Sequence, residues 1–137
     1  QYLDGRVHEK WGGSLPYCWD PGVIQLAKRP VGLFDGIICT DVLEHIAETD
    51  LADTLEDIFR FARPAGHPYR PFVYLHICCR PAHKHFVDGT NVHLTVKPPG
   101  WWSRLIKTHQ PKHVILNTTF EEALEEDAPS GCDVSQE

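Results

Sequence analysis

Methionine is absent from all 137 residues, position 1 included, so the sequence does not open on its own initiator and an upstream stretch is expected. Long apolar runs are also missing. None approaches the roughly 20 residues that cross a bilayer, and the amino end lacks the charged, apolar and small-residue succession of a signal peptide. A soluble protein is expected, with no membrane partner. No Cys-x-x-Cys pair occurs. The five cysteines are an odd number, and Cys39, Cys78 and Cys79 lie inside apolar runs. Buried reduced thiols and a cytoplasmic setting fit that better than a disulfide framework. Adjacent cysteines on a strand face opposite ways, so Cys78 and Cys79 are poor partners for one tetrahedral ion with His83 and His85. Neither a glycine-rich phosphate loop nor a nucleophile elbow is present, which sets aside nucleotidase and hydrolase chemistry.

What is present suffices for one sizeable core. The chain is 42% hydrophobic, with four Trp and six Phe, and 11 Pro with 10 Gly cut it into short elements. The net charge of -6 is unevenly placed. Residues 121–137 hold seven acids and no Lys or Arg, leaving 13 bases against 12 acids in the body. The expected organisation is therefore an α/β domain over residues 1–120 followed by a solvated, flexible acidic tail over 121–137. A near-neutral body favours a small or uncharged acceptor over nucleic acid.

Periodicity alternates helices with strands. Tyr2, Leu3, Val7 and Trp11 share a helical face ended by Gly12 and Gly13. A short strand is expected from Leu15 to Trp19, closed by Asp20-Pro21-Gly22, and a brief helix from Val23 to Lys28. Phe34 to Thr40 is too continuously apolar for a strand with a wet face. A helix follows, carrying Leu51, Leu55, Ile58, Phe59 and Ala62, with Thr49 or Asp50 as N-cap and Pro64 with Gly66 as terminator. Phe72 to Cys79 is the next strand, Pro98-Pro99-Gly100 opens a last helix, and His113 to Thr119 is a last strand. Helices between buried strands imply a mainly parallel sheet covered on both faces, a three-layer sandwich. Ligands bind such sheets where strands end, which selects the loops Asp20 to Gly22, Asp41 to Ile46 and Arg80 to Gly100.

The run from Phe34 through Asp41-Val42-Leu43-Glu44-His45 to Ile46 resembles the end of the fourth strand in class I S-adenosylmethionine-dependent methyltransferases. Cys18-Trp19-Asp20-Pro21-Gly22 looks like their second-strand terminus, and Asn91-Val92-His93-Leu94 their region after the fifth strand. The resemblance spans about Gln1 to Ile106 and implies a Rossmann-like fold with S-adenosylmethionine as cofactor. It starts beyond the family's first strand: 33 residues precede Phe34 and none supplies the glycine-rich loop, while 13 residues separate Asp20 from Phe34. A domain truncated at its amino end, incomplete on the cofactor side, is the expectation.

The resemblance implies that Asp20 accepts hydrogen bonds from the ribose hydroxyls, with Asp41 and Val42 near the methionine end. Glu44, His45 and His93 would serve the methyl acceptor, an imidazole having the right proton affinity for a general base. Plainer roles stand beside these: an Asp-Pro-Gly turn at Asp20, a helix start at Glu44 and His45, and core packing for at least one of Trp101 and Trp102. Asp41, Glu44 and His45 with His93 also resemble the metal-binding set of small-RNA 3'-terminal methyltransferases, although Asp stands first where that family has Glu. Two functions are thus carried forward. One is methyl transfer to an oxygen or nitrogen nucleophile. The other is a catalytically inactive remnant acting as a binding or self-assembly module, which pairs with a copy of itself through exposed strand edges.

Overall fold

The computed structural model describes residues 16–66 and 68–122. The expected helix over Tyr2 to Trp11 lies outside them, as does the acidic tail beyond Glu122. The chain divides into two compact units, Gln1–Gly32 and Leu33–Glu137.

In the first unit the described residues form turns. Val23 N–H donates to the Asp20 carbonyl and Leu26 N–H to that of Val23, each bond spanning three residues. The expected helix over Val23 to Lys28 is therefore a pair of turns. So short a segment gains too few bonds to offset nucleation, and Pro30 follows closely. The expected strand is likewise absent from its described part, Pro16 to Trp19, where Pro16 has no N–H to give.

The second unit is an open three-stranded parallel sheet with two helices, ordered β1 (Gly36–Thr40), β2 (Phe72–Cys78) and β3 (Ile115–Glu121). Helix α1 (Leu51–Arg60) joins β1 to β2 and helix α2 (Pro99–His109) joins β2 to β3. Both crossovers run the same way across the sheet, so their shared handedness sets both helices on one face. Register aligns Ile37 with Val73 and Leu116, and Cys39 with Leu75 and Thr118. On that face Val73, Leu75 and Ile77 meet Leu51, Leu55 and Phe59 of α1 and Trp102 and Ile106 of α2. The i, i+4 spacing on each helix brings these side chains into one stripe.

The opposite face carries Gly36, Ile38, Phe72, Tyr74, Ile115 and Asn117. Ile38, Phe72 and Ile115 are exposed there. The apolar run of β1 thus has a wet face after all, because β1 is the end strand of the described sheet and Ile38 points away from the helices.

Boundaries shift by small amounts. No side chain caps α1 at Asp50; instead Thr54 Oγ1 donates back to the Asp50 carbonyl at 2.8 Å. Pro99 opens α2, where a missing N–H costs nothing. β3 runs two residues further than expected, to Glu121, so the first acid of the tail segment belongs to the sheet. There it pairs with Arg80.

Candidate functional site

β1 ends in a residue of unusual backbone. Asp41 has φ 56°, the left-handed region that Asp tolerates better than most. This bend turns the chain off the sheet and into a short 3-10 turn, Leu43–His45, whose N–H groups at His45 and Ile46 bond the carbonyls of Val42 and Leu43. The turn is stitched to the loop before α2. Thr95 N–H donates to the Glu44 carbonyl at 3.0 Å, and Thr95 Oγ1 donates to the Ile46 carbonyl at 2.8 Å. Asn91 fixes the other end of that loop, its amide donating to the Ala82 carbonyl at 2.8 Å while its Oδ1 accepts from Ala82 N–H at 3.1 Å.

Two histidines are brought together by these ties. His45 Nδ1 lies 2.9 Å from the Val92 carbonyl, and His93 Nδ1 lies 2.7 Å from the Arg80 carbonyl. A carbonyl only accepts, so each Nδ1 carries the proton, and the neutral ring keeps its lone pair on Nε2. The rings meet edge to face with centroids 4.7 Å apart. Beside them Glu44 is fully buried, with Oε1 accepting from Cys78 N–H at 3.1 Å. Its Oε2 meets no hydrogen-bond partner among the described residues. A carboxylate oxygen and one ring nitrogen from each histidine all lie within 4.8 Å of one another.

Asp41 joins a different group. Its Oδ1 bonds His76 Nδ1 at 2.8 Å, and Glu121 completes a second cluster with them. Parallel register makes this cluster, setting Thr40 level with His76 and Thr119 so that the strand ends converge. Arg80 holds Glu121 through two guanidinium nitrogens and keeps its carboxyl below the usual carboxylate range. The residues Asp41, Glu44, His45 and His93 read together from sequence therefore fall into two separate side-chain groups, with Asp41 in the second.

Val42 is exposed and contributes a backbone carbonyl to the turn. Asp20 lies in the other unit, where its Oδ1 accepts from Gly22 N–H at 2.9 Å in an Asx turn. Trp102 is fully buried in the core, while Trp101 is half-buried with Lys97 5.3 Å from its ring centroid. Burial, with the nearby charges of Glu44 and Asp41, pushes the Cys39 thiol up to about 12. Burial likewise carries Cys79 to about 11. Neither is an available nucleophile near neutral pH.

His76, Arg80 and Glu121 were not singled out by sequence reading. The alternation of β2 gave one signal, since Val73, Leu75 and Ile77 on the core face force His76 onto the other. Comparison with protein-family models, curated proteins and solved structures finds no match.

Proposed function

We propose that this chain is a methyltransferase-like α/β domain, the acceptor-side portion of a three-layer Rossmann-like sheet. It would transfer a methyl group from S-adenosylmethionine to a small or uncharged acceptor. The observation that carries the reading is the grouping of Glu44, His45 and His93 beyond the carboxyl ends of parallel strands, the edge where such sheets receive ligands. In this reading the acceptor's lone pair bonds the methyl carbon as the carbon–sulfur bond breaks. The acceptor's proton passes to Nε2 of His45 or His93, whose Nδ1 protons are already given to carbonyls. In this reading Asp41 and Val42 stand at the methionine end of the cofactor.

Calorimetric titration of the chain with S-adenosylhomocysteine tests this. Saturable heat is expected, together with a rise in melting temperature worth about 2.7 kcal/mol at a hundredfold excess over Kd. The absence of both at millimolar ligand would sink it. The exposed face carrying Ile38, Phe72 and Ile115 favours a second reading, an inactive module that assembles with itself through the sheet.

A further inference from the structure

His76 is anchored from both sides of the sheet. It lies near the carboxyl end of the central strand, level with Thr40 of β1 and Thr119 of β3. A ladder position of this kind holds a side chain's geometry more tightly than the turn and the loop that carry His45 and His93. Asp41 then clasps His76 twice. Its main-chain N–H donates to the His76 carbonyl at 3.1 Å, and its Oδ1 accepts from His76 Nδ1 at 2.8 Å.

A carboxylate only accepts, so the ring proton sits on Nδ1 and the lone pair on Nε2. A carboxylate so placed prepares an imidazole to take a proton: it fixes tautomer and orientation and stabilises the imidazolium that forms. The main-chain carbonyls behind His45 and His93 also fix tautomers, but they bring no charge to a forming cation. The bond to Asp41 is the only hydrogen bond of the His76 ring among the described residues, and the side chain is 28% exposed. Nε2 is thus the nitrogen left to a ligand.

Glu121 stands beside the pair, with one oxygen of each carboxylate and a ring nitrogen of His76 all within 4.8 Å of one another. Hydrogen bonding and charge from Arg80, with smaller pulls from His76 and His93, keep the Glu121 carboxyl below its usual range. A cation forming on His76 therefore meets two carboxylates. Against them stands one guanidinium, so the group is net negative and repels an anionic ligand.

We infer that Asp41 and His76 form a general-base site, in which Nε2 of His76 takes the proton from an O–H or N–H of an uncharged ligand. The electrons of that bond stay on the ligand's oxygen or nitrogen, and Asp41 with Glu121 stabilises the imidazolium. The site is separate from Glu44, His45 and His93, and it stands whether or not the chain binds S-adenosylhomocysteine.

Two measurements on the whole chain test it. Long-range proton–nitrogen NMR spectra should place the His76 ring proton on Nδ1. Diethyl pyrocarbonate, an uncharged reagent that acylates an unprotonated ring nitrogen and puts positive charge on the ring in doing so, should modify His76 at Nε2, read residue by residue by mass spectrometry. Asp41→Asn keeps a residue type that tolerates the left-handed backbone while removing the charge. It should slow modification of His76 about tenfold or more, in line with the loss when a carboxylate behind a histidine is replaced, and leave His85 unchanged. Glu121→Gln removes the second charge without touching the clasp and should slow it by a smaller factor. A merely structural pair would show the same tautomer but no change of rate. A ring proton on Nε2, an unmodified His76, or an equal rate in Asp41→Asn would each overturn the inference.

Discussion

At Cys39 a single side chain reports on the electrostatics of the whole sheet edge. Its thiol is pushed up to about 12 by burial, with the carboxylates of Glu44 and Asp41 adding to the effect. An unfolded cysteine ionises near 8.5, so between about pH 8.5 and 12 the unfolded chain gives up a proton that the folded chain keeps. Fewer protons bound in the unfolded state means that stability falls as pH rises through this window, and below it the thiol contributes no slope. Urea denaturation at pH 8 and at about pH 10.5 should therefore show a larger loss in the wild type than in Cys39→Ala. Equal losses would show that the thiol titrates normally. The residues responsible were unequally legible. Glu44 and His45 stand out in sequence because charged and imidazole groups closely follow an apolar strand, whereas His93, in the long loop after β2, was picked out only through the family resemblance. That Asp41 leaves them for His76 follows from a backbone bend at φ 56° and from strand register, neither of which is written in local composition.

At the scale of elements, α2 shows how neighbouring identical residues divide their labour. Trp101 and Trp102 meet edge to face with centroids 5.2 Å apart, yet only Trp102 faces β2 and α1. Truncating it removes a fully buried aromatic, and Trp102→Ala should cost about 3–5 kcal/mol. Trp101→Ala gives up a half-buried ring and a cation–π contact of about 0.5–1 kcal/mol, so its cost should be clearly smaller. Chemical denaturation of the two variants checks the ordering, and equal losses would contradict the packing described. Helices of ten or eleven residues such as α1 and α2 declare themselves through an apolar stripe and basic residues in the last turn, α2 through a proline start as well. The segment Val23 to Lys28 carries the same signals yet folds into turns, because six residues with helical composition still lack the length to propagate a helix.

For the molecule as a whole, the strand–helix alternation made the parallel α/β character legible, whereas the distribution of helices between faces was not. Faces are set by the direction of successive crossovers, and with order β1-β2-β3 both helices fall on one side. Parallel sheets are usually covered on both faces. Here the second face presents Ile38, Phe72 and Ile115, with the Phe72 ring lying over Gly36 where any Cβ would clash. Three exposed apolar side chains on one sheet face form a surface that water disfavours and a second surface could cover. Sedimentation velocity over a range of protein concentrations should accordingly show reversible association. Ile38→Lys and Ile115→Lys should shift the chain toward monomer while circular dichroism stays unchanged, because neither side chain reaches the core of Leu75, Leu55 and Trp102. A monomer at every concentration would remove self-assembly through this face. Association that survives both substitutions would move it elsewhere, for example to the edge of β1, where main-chain hydrogen bonding rather than apolar contact would carry it.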